Sequence, residues 1–331
     1  MSDKQTIALD AMGGDFGPAE TVGGAVMAAA NGGVTILLVG DEAAIQQELN
    51  SRDSSNLPIR IVPSEGVIVE SEHPARALIS KPKSSIAVCA GLVKEGRADA
   101  FISMGSTGAS MAASVLAMGL FPGLNRPTVG GPFIGLAPKT TIIDIGANID
   151  SRPEQLLNFG ALGASFQRFW LKIENPRVGL LSVGSEEGKG NKQVQEAFAL
   201  FKASGLNFIG NIEGHDIFAD KADVVVCDGF VGNVLLKYTE GLAEAAARFL
   251  ASTLGPESPA VQQIKGFTSS AEHGAAPLFG VKGLAMVGHG STQGEGIAKA
   301  IKLAQSCLSL DLVGHLREDL LAAQKRAGTA N

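Results

Sequence analysis

Short runs of β-branched and aliphatic residues recur along the chain, and each is followed by a glycine-rich joint and a helical stretch. Most of these runs are apolar throughout, which is typical of strands buried on both faces of a parallel sheet. The predicted strands are Thr6–Asp10, Val34–Val39, Ile59–Val62, Ala100–Ser103, Thr140–Ile145, Val178–Val183, Asn207–Gly210, Asp223–Cys227 and Leu284–Val287. The sequence therefore predicts an α/β fold: a doubly wound, mainly parallel sheet with helices on both faces.

The chain of 331 residues contains no repeat, low-complexity tract or polar linker, so we expect one domain over residues 1–331. Residues 253–276 depart from the alternating pattern, because they contain Pro256, Pro259 and Gly266 and few large apolar side chains. They follow a predicted long helix over Asn233–Ser252. We expect this segment to form a protruding helical hairpin or loop outside the sheet.

Composition and charge exclude several classes of protein. The net charge of −6 argues against a general nucleic-acid binder. The longest nearly apolar stretch, Ala109–Phe121, is too short for the ~20 residues of a membrane span, and no signal-peptide pattern precedes Ile7. Cys89, Cys227 and Cys307 lie far apart, without metal-ligand spacing. We therefore expect a soluble, cytoplasmic protein whose cysteines are small core residues.

Six glycine-rich loops follow predicted strands, at the positions where open α/β sheets bind their ligands. These loops are Asp10–Pro18, Met104–Gly108, Asp144–Asn148, Gly184–Asn191, Asp228–Asn233 and Gly288–Thr292. Glycine lets backbone N–H groups approach a ligand, and the helix that follows favours an anion at its N-terminus. Each loop alone is a weak signal, but the set predicts a phosphate or oxyanion site.

The loops match none of the familiar catalytic motifs. Gly184–Gly190 is one residue short of a P-loop, and no Ser or Thr follows Lys189. Ser106 and Ser291 lack the flanking glycines of a nucleophile elbow, and the chain contains no HExxH. The remaining polar groups are Lys189, His289, Asn148 and Asn233. They fit acyl transfer to phosphate through positioning and electrostatic stabilisation, without a metal or cofactor.

Three of these residues are the catalytic candidates. Lys189 is predicted to hold phosphate or to stabilise developing negative charge, with a solvated loop lysine as the alternative. Asn233 is predicted to contact the substrate, with a plain helix N-cap as the alternative. His289 lies between two glycines and has little room to be a core histidine. Phosphate or substrate contacts are also expected from Asp10, Gly13, Gly14, Asp15, Gly105, Ser106, Thr107, Gly108, Asn148, Asn191, Asp228, Gly232 and Ser291.

The stretch IALDAMGGDFGP at Ile7–Pro18 resembles the opening signature of the PlsX family, the acyl carrier protein-dependent phosphate acyltransferases. The resemblance continues in family order through Gly105–Ala109, Glu187–Asn191, Asp228–Asn233 and His289–Ser291. It implies a fold related to isopropylmalate dehydrogenases and phosphotransacetylases, and a homodimer. It also implies conversion of a long-chain acyl-acyl carrier protein and inorganic phosphate to acyl phosphate, in phospholipid synthesis. The family's best catalytic candidates match Lys189 and Asn233.

The resemblance also implies partners and leaves alternatives open. Acyl carrier protein is acidic, so we predict that it docks on the positive patch of Arg76, Lys81 and Lys83, with a solvated loop as the alternative. Relatives touch the membrane with the hairpin, so residues 253–276 are predicted to contact either a membrane or the dimer partner. A phosphotransacetylase that uses acyl-coenzyme A and a non-catalytic membrane-coordination scaffold are the competing functions.

Overall fold

The computed structural model describes residues 4–133, 137–268 and 274–329. The strands are β1 Gln5–Asp10, β2 Val34–Gly40, β3 Ile59–Pro63, β4 Ala100–Ser103, β5 Thr128–Phe133, β6 Ala137–Ile143, β7 Val178–Leu181, β8 Phe208–Ile212, β9 Val224–Val226, β10 Ala275–Phe279 and β11 Leu284–Gly288. The helices are α1 Gly17–Ala30, α2 Glu42–Asn50, α3 Pro74–Ser80, α4 Ser85–Lys94, α5 Thr107–Met118, α6 Pro153–Trp170, α7 Lys192–Ala203, α8 Gly229–Leu254, α9 Pro259–Thr268, α10 Gly294–Ser309 and α11 Leu312–Ala327.

The chain divides into two compact units, each built from two separate stretches. Unit 1 comprises residues 1–121 and 270–313, and unit 2 comprises residues 122–269 and 314–331. The expectation that residues 1–331 form one domain stays a prediction. Among the described residues, no helix combines the length and the apolar composition that a membrane span requires.

The strand order in unit 1 is β3-β2-β1-β4-β11-β10. All neighbours are parallel except β10 and β11, which pair antiparallel. Helix α1 packs against both α2 and α10, and α5 packs against both α3 and α4. The buried strands β1 and β4 are continuous apolar runs, as the sequence predicts for strands covered on both faces.

The strand order in unit 2 is β5-β6-β9-β7-β8, and only β5 and β6 pair antiparallel. Alternate side chains of the central strands fill two separate layers. Val224 and Val226 pack against glycines of α6, whereas Ile142 and Val225 join a buried cluster against which Leu235 and Leu236 of α8 pack. The predicted α/β class, mostly parallel with helices on both sides, is therefore confirmed.

The sequence did not predict two of the strands, β5 and β10, and each of them pairs antiparallel with a neighbour. Strand β5 contains Gly130, Gly131 and Pro132, which are unfavourable in a strand interior. Strand β10 contains Pro277 and begins inside the segment that was predicted to be a hairpin. The extended conformation of both strands depends on pairing with a neighbouring strand rather than on their own composition. A search for continuous apolar runs therefore does not find them.

The helical hairpin that the sequence predicts near residues 253–276 is formed by the end of α8 and by α9, and the helix before it is longer than the predicted Asn233–Ser252. Helix α8 begins at Gly229 and ends at Leu254, because Asp228 caps it earlier than the predicted start at Asn233. Helix α9 packs against α8. Residues 269–273 lie outside the described residues, and the last two hairpin residues, Ala275 and Ala276, belong to β10 instead.

Candidate active site

Three of the predicted loops lie together in unit 1, because strands β1, β4 and β11 are parallel neighbours. The loop at Gly13 approaches the loop at Gly105 so closely that a Cβ on Gly13 would lie 2.8 Å from the Gly105 nitrogen. The backbone N–H of Asp15 donates to the carbonyl of Gly290 over 2.8 Å. Glycine at position 13 is therefore required by backbone contact between two loops.

Asp10 is buried at the end of β1 and does not face solvent. Its carboxylate accepts from the hydroxyl of Ser103 over 2.7 Å and from the backbone N–H of Met12 over 3.2 Å. The Ser103 hydroxyl in turn accepts from the N–H of Gly105 over 3.0 Å. Burial raises the pKa of Asp10, against the lowering effect of these donors. The predicted ligand contact of Asp10 is thus an internal one, which orders the Gly105 loop.

The loop of residues 105–108 leads into α5. Ser106 is buried and is the N-cap of α5, since its hydroxyl accepts from the N–H of Ala109 over 3.3 Å. Thr107 is exposed at the first helical position. A Cβ on Gly108 would lie 2.9 Å from Cγ of Pro74, which places the start of α3 beside this loop.

His289 and Ser291 are both exposed after β11. The Nδ1 atom of His289 lies 2.8 Å from the Ser291 hydroxyl and accepts from the Ser291 N–H at 3.4 Å. With Nδ1 acting as an acceptor, the neutral ring carries its hydrogen on Nε2. The exposed Nε2–H is then available to a ligand.

The other three loops lie together in unit 2, where β6, β9 and β7 are parallel neighbours. Asn148, in the loop after β6, is buried, and its amide nitrogen donates to the Asp144 carboxylate over 2.7 Å and to the Pro127 carbonyl over 2.9 Å. Both amide hydrogens are therefore used inside the protein. The Oδ1 atom is buried and has no hydrogen-bond partner among the described residues, and the substrate contact predicted for Asn148 stays a prediction.

The loop after β9 begins α8. The Asp228 side chain accepts from the N–H of Val231 over 2.8 Å and is the N-cap of the helix. The alternative reading of Asn233 as an N-cap is wrong, because Asn233 is the fifth helical residue. Asn233 is exposed, and a Cβ on Gly146 would lie 3.5 Å from its Oδ1 atom. A Cβ on Gly232 would overlap the Asp144 carbonyl oxygen, so the helix starts in direct contact with the neighbouring loop.

The loop after β7 presents Lys189. Its side chain is exposed and, among the described residues, forms no ion pair. The backbone is fixed by the Lys189 N–H, which donates to the Glu186 carbonyl over 3.0 Å. Asn191 caps α7, with its side chain accepting from the N–H of Val194 over 2.9 Å. The loop thus carries an exposed ammonium group, without an ion pair among the described residues, beyond the carboxyl end of β7.

The predicted positive patch is weaker than its sequence indicates. Lys81 pairs with Glu72 over 2.8 Å, and Lys83 pairs with Glu65 over 2.9 Å. The bond from Lys81 holds the pKa of the Glu72 carboxyl below its usual range. Arg76 is exposed and forms no ion pair among the described residues. Glu72 precedes Lys81 by nine residues and Glu65 precedes Lys83 by eighteen, so these ion pairs are not apparent from the spacing of the positive residues alone.

Three residues that organise the site were not singled out from the sequence. They are Asp144, Ser103 and Glu20. Glu20, in the first turn of α1, accepts from the N–H of Gly294 over 2.6 Å and so occupies the N-terminus of α10. Asp144 and Ser103 each follow or end a buried strand next to a glycine turn. A polar residue between a buried apolar strand and a glycine turn is the sequence signal that indicates Asp144 and Ser103.

The model of the fatty acid synthesis protein family matches residues 5–314. The chain belongs to this family, PlsX. The phosphate acyltransferase of Endomicrobium trichonymphae is 41% identical over 329 residues, covering 95% of this chain and 97% of that protein. The phosphate acyltransferase of Moorella thermoacetica is 42% identical over 330 residues and covers 97% of both chains.

Solved structures place the PlsX chain among related folds. A phosphotransacetylase from Streptococcus pyogenes matches with a TM-score of 0.59 at 16% identity, covering 92% of this chain and 95% of that chain. A putative 4-hydroxythreonine-4-phosphate dehydrogenase from Salmonella typhimurium matches with a TM-score of 0.55 at 14% identity, covering 92% and 99%. At this identity the likeness concerns the fold alone.

Proposed function

We propose that this PlsX chain is a phosphate acyltransferase that transfers a long-chain acyl group from acyl carrier protein to inorganic phosphate. The observation that carries the proposal is the exposed ammonium of Lys189, which forms no ion pair among the described residues and lies on the loop after β7. Strand β7 is the parallel neighbour of β9, and β9 leads into α8 and its exposed Asn233 carboxamide. A cation and a neutral donor at the carboxyl ends of neighbouring strands suit an anionic nucleophile and a carbonyl that becomes an oxyanion. The phosphate acyltransferases at 41–42% identity support transfer of an acyl group to phosphate.

The reaction forms one bond and breaks another at the thioester carbonyl carbon. A phosphate oxygen attacks this carbon, and the carbonyl oxygen becomes an oxyanion. The C–S bond then breaks, and the carrier thiolate leaves and takes a proton from solvent. Phosphate is already an anion near neutral pH, so Lys189 neutralises and holds it, while Asn233 donates to the oxyanion.

In unit 1, His289 stays a catalytic candidate, and Ser291, Asp15 and Thr107 stay proposed substrate contacts, because these four side chains are exposed at the loops that follow the strands. Asp10, Ser106 and the glycines of these loops hold the backbone in place. Unit 1 presents a buried and an exposed aspartate at these loops, which disfavours a dianion there.

Acyl carrier protein is the proposed partner, and its proposed dock is the surface of α3. Pro74 at the start of α3 touches the residue 105–108 loop, so a carrier bound there would be close to the substrate loops of unit 1. Arg76 is exposed and forms no ion pair among the described residues. The pair of Lys83 with Glu65 is exposed and contributes little to stability, so an acidic partner can compete for this lysine, whereas the pair of Lys81 with Glu72 is half-buried.

The proposed assembly is a homodimer in the cytoplasm. Helix α8 exposes Phe230, Val234, Tyr238 and Leu242, a surface that a second copy would cover. Farther along, Phe249 is 70% exposed and supports the proposed contact of the hairpin with a membrane surface. Free cysteines support a reducing compartment.

The decisive experiment incubates the purified protein with palmitoyl-acyl carrier protein and phosphate, and measures free carrier thiol and hydroxylamine-trapped acyl phosphate. We expect phosphate-dependent thiol release that Lys189→Ala abolishes. Lys192→Ala is the matched control, because this exposed lysine lies three residues away and pairs with Glu196. Release only with acyl-coenzyme A would indicate a phosphotransacetylase. No release with either substrate would contradict the proposal and leave the scaffold function.

A further inference from the structure

We propose that Asp144 is a positioning residue, which fixes the carboxamide of Asn233 for acyl transfer. The inference rests on the proposed function of Asn233. Asp144 is fully buried at the end of β6 and was not among the residues expected to form the site. Because the side chain of Asp144 is itself closed to a substrate, any effect on the reaction must pass through the groups that it holds.

The Asp144 carboxylate is the acceptor around which the residue 144–148 loop is built. One oxygen accepts from the N–H of Gly146 over 3.0 Å and from the N–H of Ala147 over 2.9 Å. The other accepts from the amide of Asn148 over 2.7 Å. Three hydrogen bonds from a loop of five residues leave that loop a single conformation, because each donor would otherwise be left without its acceptor.

The same loop is the platform on which α8 begins. The N–H of Gly229 donates to the Asn148 carbonyl over 2.7 Å. A Cβ on Gly229 would lie 2.8 Å from both the nitrogen and the oxygen of Asn148, so the two backbones are in contact. Gly232 lies on the Asp144 carbonyl oxygen in the same way. A shift of the loop therefore shifts the first turn of α8.

The Asn233 side chain faces Gly146. A Cβ added to Gly146 would be in van der Waals contact with Asn233, 3.5 Å from Oδ1 and 3.6 Å from Cγ. Gly146 has φ of +140°, a conformation that L side chains rarely adopt, and its N–H is held by Asp144. By holding the loop against which Gly229 and Gly232 pack, Asp144 thus sets where the start of α8 and the Asn233 carboxamide lie.

The test compares Asp144→Asn with Asp150→Asn, a change of the same charge on an exposed residue of the same connection. In Asp144→Asn, the NH₂ group of the new asparagine faces the NH₂ group of Asn148. Two hydrogen-bond donors then face each other without an acceptor between them. Isotope-labelled asparagine reports the Asn233 side-chain NH₂ resonance, which Asn233→Ser assigns. Asn148→Ser is a milder second variant, because it removes one of the three donors.

We expect Asp144→Asn to move the Asn233 resonance and to lower kcat on the order of tenfold, with KM for the carrier-bound substrate within about twofold. Asn148→Ser should move the same resonance less, and Asp150→Asn should change neither quantity. In an Asn233→Ser background, Asp144→Asn should lower kcat by less than about twofold, because its effect passes through Asn233.

Two results would overturn the proposal. One is an Asn233 resonance that does not move in Asp144→Asn. The other is an equal fall of kcat in the wild-type and Asn233→Ser backgrounds, which is the additive outcome of a general structural role. A wild-type protein without phosphate-dependent thiol release would refute the proposed function instead, and the resonance would still decide whether Asp144 positions Asn233.

Discussion

Ser103 donates its hydroxyl hydrogen to the carboxylate of Asp10 over 2.7 Å, and this bond ties the end of β4 to the end of β1. The same hydroxyl accepts from the N–H of Gly105. Two strand ends and one substrate loop thus meet at a single buried oxygen atom. The arrangement explains why a serine ends a strand that is otherwise apolar.

We expect Ser103→Ala to destabilise the protein by about 1–3 kcal/mol, because it leaves the buried carboxylate and the Gly105 N–H with one partner fewer. Urea unfolding measures the difference. Ser114→Ala is the control, since among the described residues the hydroxyl of this buried serine bonds to the Ser110 carbonyl alone, within α5, where alanine is a better helix former. An equal loss of unfolding free energy in Ser103→Ala and Ser114→Ala would mean that the hydrogen bond from Ser103 to Asp10 does not stabilise the protein.

Most of the fold was predictable from the sequence, because most strands and several helix starts are marked by residues within the element itself. The parallel strands are buried on both faces, and the starts of α4 and α6 carry their own signals, such as Pro153 at the first turn of α6. Strands β5 and β10 were not predictable in the same way. Their glycines and prolines disfavour a strand, and a neighbouring strand supplies what their composition lacks.

The candidate site was predictable as a set of loops but less well residue by residue. Glycine-rich joints identified all six loops, three in each unit. Which polar side chain faces outward and which is used internally depends on contacts across the sheet. Asn148 turned inward to Asp144, and Lys81 found Glu72, through pairings that residue spacing does not encode.

The ion pair between Arg177 and Asp223 in unit 2 predicts a pH dependence of stability. Burial alone would raise the pKa of Asp223, but hydrogen bonds from the Arg177 guanidinium and backbone lower it below its ordinary 3.8. A lowered folded-state pKa stabilises the protein above pH 3.8, and this contribution is lost as pH falls through the folded value.

We therefore expect Asp223→Asn to be less stable than the wild type at neutral pH, with a gap that narrows below about pH 4. Urea unfolding of both proteins between neutral and acidic pH measures this gap. A gap that stays constant, or that widens toward low pH, would show that Asp223 is not stabilised as the ionised partner of Arg177.

The three cysteine thiols should be unreactive in the folded protein. All three are buried, and burial raises the pKa of Cys307 to about 12 and the pKa values of Cys89 and Cys227 above their usual range. We expect no reaction with a disulfide reagent at pH 8, and three reacting thiols in guanidinium chloride. A thiol that reacts at once in the native protein would contradict this burial.

Two glycines of α8 should respond to alanine in opposite directions. A Cβ at Gly232 would overlap the Asp144 carbonyl oxygen, a backbone atom that cannot swing aside. We expect Gly232→Ala to cost about 1–3 kcal/mol of unfolding free energy and to displace the start of the helix, including the adjacent Asn233. At Gly241 the added Cβ would meet nothing within 4 Å, so alanine should stabilise the helix by up to about 1 kcal/mol.

Thermal and urea unfolding of the two α8 variants, together with thiol release, test this contrast. Both substitutions add one methyl group to the same helix, so general helix propensity predicts a gain in each. Only contact with the Asp144 loop predicts a loss of stability and of kcat in Gly232→Ala alone. If Gly232→Ala unfolded at the wild-type urea concentration with wild-type kcat, the start of α8 would not be seated on that loop.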